Sequence, residues 1–328
     1  MKQVAQLSEQ QRKELFGETA NAMSITAAAA EKVFWICWVL FHVFDDEELQ
    51  RYLRFKGGTS LSKCYGVIER FSEDIDLILD WTQLTGEDPA AAKRSKTKQS
   101  QFNQNINEDA QAFIATTLLP RLIALMGDIC DLAIDVEDPQ TINITYPKAF
   151  YSEYLRPQVR LEIGPLAAML PMEYCDIQPY AAQYFPDLFQ QASVAVPTIV
   201  VARTFWEKLT ILHAEAHRPN DKVLPHRYAR HYYDVYKLVE TGMYKKAMEQ
   251  QRLLSDVVAF KKKFYPSGWA NYDSATFTGL LLQPSTHHIA ALEADYKNMQ
   301  EMLFGDKPSF ENIIETLIKL EAEIHSLR

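Results

Sequence analysis

The sequence lacks the features that mark a secreted, membrane-spanning or zinc-binding protein. Its four cysteines form no CxxC pair and have no zinc-type spacing to histidines, a pattern typical of reduced cytoplasmic thiols. The N-terminus is polar and has no apolar signal-peptide core. The longest apolar run, Val33–Phe44, has twelve residues, whereas a helix needs about twenty to cross a bilayer. We therefore expect a cytoplasmic protein with no membrane partner and a buried core helix around this run.

The chain also lacks an excess of positive charge. A net charge of -9 argues against a non-specific binder of polyanions, although a local basic surface could still grip phosphates. Such a surface is indicated at 203–237, which has seven Lys or Arg against four Asp or Glu, with four of the eight histidines. The apolar fraction of 47% is that of a globular protein, and 328 residues suffice for two domains.

Hydrophobic periodicity predicts an α/β (α+β) fold over the first 200 residues, followed by a helical C-terminal region. We expect a core domain with N-terminal helices over 1–200 and a helical domain over 201–328. The predicted strands are 52–56, 74–79, 129–136, 142–146, 157–163 and 194–201. The predicted helices are 8–17, 22–44, 106–126, 203–216, 227–241, 243–263, 286–304 and 309–327, with loops over 88–109 and 171–192.

Neither a Walker motif nor GxGxxG is present, so neither a P-loop nor a Rossmann site is indicated. A different glycine turn occurs in FKGGTSLSK, where Gly57 and Gly58 follow a short strand. Thr59 and Ser60 then begin a helix that a hydroxyl side chain is placed to cap. Glycine permits a close approach of backbone to phosphate, and the helix start favours an anion. The alternative is an ordinary tight turn.

Three acidic residues could hold a metal ion. Asp74 and Asp76 are separated by one residue on a predicted strand, so both carboxylates face the same side, about 6–7 Å apart along the backbone. Mg²⁺ binds one or two such carboxylates. Glu162 would add a third if its strand neighbours the first. The alternatives are an exposed strand face and, for Arg160 with Glu162, solvated charges.

Two predicted helices farther along the chain bear further candidates. Lys208 borders the apolar stripe of its helix, where it could reach a phosphate or extend its ammonium group to solvent. Arg230 and Asp234 share a helix face at i,i+4, where a simple ion pair is the alternative.

Five segments in this order resemble the AbiEii/AbiGii toxin family of nucleotidyltransferases, relatives of the MenT toxins with a core of the DNA polymerase β type. One is the helix Glu31–Leu40, with Val33 where the family usually has an acidic residue. The others are FKGGTSLSK, RFSEDIDL, RTFWEKLTILH and RHYYDVYKL, so the resemblance spans 31–238.

The resemblance implies a polymerase β-type nucleotidyltransferase core with a mixed sheet, and it implies roles for individual residues. Asp74 and Asp76 match the metal-binding DxD, and Glu162 lies where polymerase β-type enzymes have a third carboxylate. Lys208 and Asp234 match residues needed for activity in such toxins. The implied nucleotide-binding residues are Gly57, Gly58, Thr59, Ser60, Lys63, Arg70, Ser72 and Arg230.

The implied reaction is metal-dependent nucleotidyl transfer by a toxin of a type IV-like toxin–antitoxin system, of the kind used in phage defence. With Mg²⁺ or Mn²⁺ as cofactor, NMP would pass from an NTP to an RNA acceptor, the tRNA 3′ end, and block translation. The helical region would close over the active-site cleft, and a cognate antitoxin is an expected partner. The alternatives are transfer to a small molecule, NMPylation of a protein, or nucleotide binding without turnover.

Overall fold

The computed structural model describes residues 1–86, 88–152 and 155–327. The chain divides into two compact units. The first comprises Met1–Cys64 and Ser72–Ile199, and the second comprises Tyr65–Phe71 with the residues from Val200 onward. The expected domains, 1–200 and 201–328, and the closure of one over the other stay predictions.

A seven-stranded mixed sheet forms the centre of the first unit. Its strands in chain order are β1 Leu53–Lys56, β2 Asp74–Leu79, β3 Asp131–Ile134, β4 Thr141–Thr145, β5 Gln158–Gly164, β6 Met172–Ile177 and β7 Val194–Ile199. The spatial order is β3-β4-β5-β2-β1-β7-β6. β2 is parallel to β5 and antiparallel to β1, so the predicted mixed α/β fold is confirmed.

Helices cover one face of this sheet. The buried helix Ala27–Asp45 packs against β5 and β7, and strand residues such as Leu77 and Leu161 are fully buried. On the opposite face, Asp74 and Asp76 of β2 and the alternate residues of β5 are half-buried, whereas Ile78 of β2 is buried. The remaining helices of the unit are Lys2–Ala5, Glu9–Met23, Glu47–Tyr52, Gly57–Lys63, Thr82–Thr85, Lys96–Phe113, the π-helix Ile114–Leu118, Leu119–Met126, Tyr180–Tyr184 and the 3-10 turn Pro186–Leu188.

The second unit is helical in its described residues. Its segment Tyr65–Phe71 is bound through the Phe71 N–H, which donates to the Met302 carbonyl oxygen at 2.8 Å. The helices are Val201–Ala216, Ala229–Glu240, Tyr244–Met248, Arg252–Phe264, the 3-10 turn Tyr272–Ser274, Ile289–Met299, the 3-10 turn Gln300–Met302 and Phe310–His325.

Several predicted boundaries are wrong, each for a local reason. The predicted loop 88–109 contains a helix that begins at Lys96 and is capped by Ser95. The prediction failed because most of this helix is polar and only Gln99, Ile106 and Ala110 are buried. The predicted loop 171–192 contains β6, an edge strand in which Ile177 is the one buried residue, so its sequence shows no apolar alternation. The predicted helix 22–44 begins at Ala27, because Ser24 has a left-handed backbone that ends the preceding helix. The predicted helix 243–263 is two helices.

Two helical stretches are long and apolar enough, by length and mean hydropathy alone, to cross a membrane: Ala27–Asp45 and Lys96–Met126. In the first, 89% of the apolar window is buried inside the protein. The core helix predicted from the apolar run is therefore confirmed.

Candidate active site

The two aspartates of the DxD motif share the polar face of β2. Asp74 and Asp76 are half-buried, while Ile75 and Leu77 between and beyond them are buried in the core. On the parallel neighbour β5, Arg160 pairs with Asp74 and Glu162 pairs with Asp76. The strand of Glu162 therefore neighbours the DxD strand, which was the condition for Glu162 to be a third carboxylate of the site.

Glycine is required at position 57 because the Asp76 carboxylate lies against its backbone. Gly57 has a φ of +83°, and a Cβ atom built there would lie 2.0 Å from Asp76 Oδ2 and 2.6 Å from its Cγ. Any side chain would therefore displace the carboxylate, besides being strained at this φ. The glycine turn and the DxD strand are in direct contact.

The hydroxyl groups after the turn stabilise it rather than cap a helix. Ser60 Oγ donates to the Gly57 carbonyl at 2.8 Å, and Thr59 Oγ1 donates to the Asp74 carbonyl. Both residues are fully buried. The helix begins at Gly57 with no side-chain cap, so the predicted hydroxyl cap is wrong. The Ser60 bond closes the turn on itself, and the Thr59 bond joins the turn to the start of β2.

Three other predicted residues lie along this segment. Gly58 and Ser72 are half-buried. Lys63 lies with its ammonium 3.9 Å from the centroid of the Tyr180 ring. Within the described residues its Nζ has no hydrogen-bond partner, so a cation–π contact is its observed interaction.

The face of the sheet that bears Asp74, Asp76 and Glu162 is strongly negative. Burial raises the pKa of Glu162 to about 7, and the charges of Asp74 and Asp76 add to the rise. Asp74 Oδ1 is buried and accepts no hydrogen bond from the described part of the chain. A divalent cation would offset the repulsion among these carboxylates and would give Asp74 Oδ1 a partner. Mg²⁺ needs only one or two protein carboxylates. Asp74 and Asp76 therefore fit such an ion.

A third ligand is not in place in this conformation. Among the described residues, no three Asp, Glu, His or Cys side chains are spaced to hold one ion. Glu162 is instead 3.6 Å from the Arg160 guanidinium, measured from its Oε1 to Nη2. Its role as a metal ligand stays a prediction.

A buried ion pair between Lys32 and Glu73, which was not predicted from the sequence, connects the starts of β2 and β5. Glu73, the buried residue just before β2, lies with its Oε2 3.7 Å from Lys32 Nζ and accepts a hydrogen bond from the Arg156 N–H at 2.7 Å. Lys32 also donates to the carbonyls of Arg156 and Gln158. Burial lowers the pKa of Lys32 to about 8, although Glu73 opposes the shift. The sequence feature that could have predicted this ion pair is the occurrence of Glu31 and Lys32 near the start of an otherwise apolar helix.

In the second unit, Arg70, Lys208 and Asp234 form one buried cluster. The Arg70 guanidinium donates to both Asp234 oxygens at 2.7 and 2.8 Å, and Lys208 Nζ lies 2.6 Å from Oδ2. Burial would raise the pKa of Asp234, but Arg70 and Lys208 outweigh it and hold the pKa far below its usual range. The alternative Arg230–Asp234 ion pair is wrong, because Asp234 pairs with these two cations instead.

This cluster has more positive than negative charge. Two cations share one carboxylate. Burial lowers the pKa of Lys208, Asp234 opposes this shift, and the charges of Arg70 and Arg230 lower the pKa further. Burial, with the charges of Lys208 and Arg230, also holds the pKa of His231 well below its ordinary value. A buried region with surplus positive charge is suited to an anion such as phosphate.

Comparison with protein families agrees with the resemblance. A sequence model of the family described as "Nucleotidyl transferase AbiEii toxin, Type IV TA system" matches residues 38–316. Among solved structures, the chain is similar to MenT4, a nucleotidyltransferase toxin from Mycobacterium tuberculosis H37Rv, at 16% identity and a TM-score of 0.43, covering 98% of this chain and 100% of that chain. A search of curated proteins found no match.

Proposed function

Since the chain belongs to the AbiEii family of nucleotidyltransferase toxins of type IV toxin–antitoxin systems, we propose that it transfers NMP from an NTP to the 3′ end of a tRNA. The modification would block translation in the cytoplasm. The family implies an NTP substrate and a cognate antitoxin. The observation that carries the proposal is the contact of Gly57 with the Asp76 carboxylate beside Asp74.

In the proposed reaction, a terminal hydroxyl of the acceptor attacks the α-phosphorus, a new P–O bond forms, and pyrophosphate leaves. Asp74 and Asp76 would hold Mg²⁺ or Mn²⁺, which when bound would neutralise charge on the phosphate oxygens. Thr59 joins the glycine turn to β2, and Ser60 holds the turn itself through the Gly57 carbonyl. The contribution of these residues is therefore positioning and electrostatic stabilisation.

The choice of an RNA acceptor is supported by charge. The segment 203–237 is basic in a protein of net charge -9. Its Lys222 and Arg227 are exposed, whereas Arg203 and Lys208 are buried. Exposed basic residues provide most of the non-specific affinity for nucleic acid. A small-molecule acceptor needs no such segment.

The test is transfer of labelled nucleotide to total tRNA, with each of the four NTPs in turn. We expect the wild type to label tRNA only with a divalent ion present, and we expect no label with Asp76→Ala or Asp74→Ala. Thermal unfolding of both variants controls for the fold. Label confined to protein or to small molecules would contradict the tRNA acceptor, and undiminished transfer by Asp76→Ala would refute the site.

Lys208→Met tests the lysine assignment. We expect transfer to fall about 100-fold, the scale for loss of one charged group that stabilises a transition state. The fold should persist, because Arg70 still pairs with Asp234 through both oxygens. Lys245→Met, at an exposed position in the helix Tyr244–Met248, is the matched control. Unchanged NTP affinity and rate in Lys208→Met would remove Lys208 from the mechanism.

A further inference from the structure

Arg160 lies among three carboxylates without a close hydrogen bond to any of them. Its guanidinium nitrogens are 3.9 Å from Asp74 Oδ1, 3.8 Å from Asp135 Oδ2 and 3.6 Å from Glu162 Oε1. Its Nε is buried and has no hydrogen-bond partner among the described residues. By contrast, Arg70 binds Asp234 through two bonds under 3 Å. The charge of Arg160 is thus shared rather than committed to one partner.

Strand register places Arg160 between two different kinds of carboxylate. It pairs with Asp74 on β2 and, on its other side, with Asn143 on β4. Asn143 Nδ2 donates to Asp135 Oδ2 at 2.9 Å, and the N–H groups of Glu137 and Asp138 donate to Asp135 Oδ1. Asp135 is therefore held in place by three donors. Asp74, whose Oδ1 lacks a hydrogen-bond donor among the described residues, is available to a cation.

We propose that Arg160 is an internal counter-cation that competes with the divalent ion for Asp74 and Glu162, and that it withdraws toward Asp135 when the ion binds. This proposal rests on the metal-dependent function proposed above. Without an ion, the guanidinium offsets the mutual repulsion of Asp74, Asp76 and Glu162. Separations of 3.6–3.9 Å are longer than charge-assisted hydrogen bonds. Releasing the guanidinium therefore breaks no close bond, and Arg160 acts as a positioning residue.

The test measures the affinity of the protein for Mn²⁺ alone, without NTP or acceptor, from the electron paramagnetic resonance signal of the free ion. In Arg160→Gln, the competing charge is gone and we expect Mn²⁺ to bind about tenfold more tightly. The same variant should have a lower melting temperature without Mn²⁺, because the carboxylates then repel one another. Arg156→Gln removes an equal charge from an exposed residue just before β5 and should leave Mn²⁺ affinity unchanged.

Asp135→Asn gives a prediction of opposite sign and keeps the arginine. With Asp135 neutral, Asp74 and Glu162 are the described carboxylates that remain within 4 Å of the guanidinium. Mn²⁺ should therefore bind about threefold to tenfold more weakly than to the wild type. Adding Arg160→Gln to this variant should abolish that weakening. The asparagine can still accept from the N–H groups of Glu137 and Asp138.

The outcomes separate this proposal from the proposed function. If the wild type binds Mn²⁺ but Arg160→Gln and Asp135→Asn have wild-type affinity, the counter-cation role is overturned and the metal site stands. Weaker binding in Arg160→Gln would also overturn it, since the arginine would then support the site. A wild type that binds no Mn²⁺ would overturn both proposals.

Discussion

Gly57→Ala should reduce nucleotide transfer by about a thousandfold while the protein still folds. The new methyl group would occupy the position of the Asp76 carboxylate, 2.0 Å from its Oδ2. Since Asp76 is on a strand whose neighbours fix its backbone, the carboxylate must rotate out of its place beside Asp74. We expect the loss to approach that of Asp76→Ala, because removing one electrostatic group typically costs 10²–10³ in rate and the displaced carboxylate also obstructs the turn.

The strain at this position adds a smaller effect on stability. A left-handed backbone costs a residue other than glycine about 1–2 kcal/mol, so the melting temperature of Gly57→Ala should fall by a few degrees. Gly17→Ala is the matched control: this glycine lies in the helix Glu9–Met23 with nothing within 4 Å of a built Cβ. Its transfer rate should equal that of the wild type. A Gly57→Ala protein with the wild-type rate would show that the observed position of Asp76 is not required.

Asp234→Ala should lower the free energy of unfolding of the second unit by about 3–5 kcal/mol, the usual cost of removing one partner from a buried ion pair. The variant leaves Arg70 and Lys208 as buried cations that have lost their shared carboxylate. Urea unfolding monitored by circular dichroism measures the difference. The control is Asp256→Ala, whose ion pair with Arg252 is exposed and should contribute about 0–1 kcal/mol.

The pH dependence of this difference has a definite sign. Because the folded protein holds the pKa of Asp234 below its unfolded value of about 4, the folded state binds the proton less readily. The stabilisation is then complete above about pH 4 and is lost as the pH falls below it. The gap in unfolding free energy between wild type and Asp234→Ala should narrow in acid. A gap that is constant from neutral to acidic pH would contradict the role of the carboxylate charge.

The contacts of Asp234 and Lys208 distinguish two causes of lost transfer: unfolding of the second unit, and removal of a charged group from a folded protein. Asp234→Ala should lose transfer because the second unit is destabilised, whereas Lys208→Met should lose it with the fold retained. Comparing transfer rates at temperatures where each variant is fully folded distinguishes the two.

The sequence by itself determined which side chains share a face and which family the chain resembles. Strand alternation has a period of two, so Asp74 with Asp76, and Arg160 with Glu162, could be placed together from local pattern alone. Gly57 could be identified as a turn residue from the glycine pair that follows a short strand, because glycine adopts backbone conformations closed to other residues.

Only the tertiary structure decided the partners of these side chains. Helix spacing suggested Arg230 for Asp234, but the partners are Lys208 and Arg70, the latter 164 residues away in the chain. The pairing of β2 with β5, the contact of Gly57 with Asp76 and the position of Arg160 also join distant segments. Spacing along a strand or helix constrains neighbours within a few residues, whereas contacts between elements depend on how the whole chain packs.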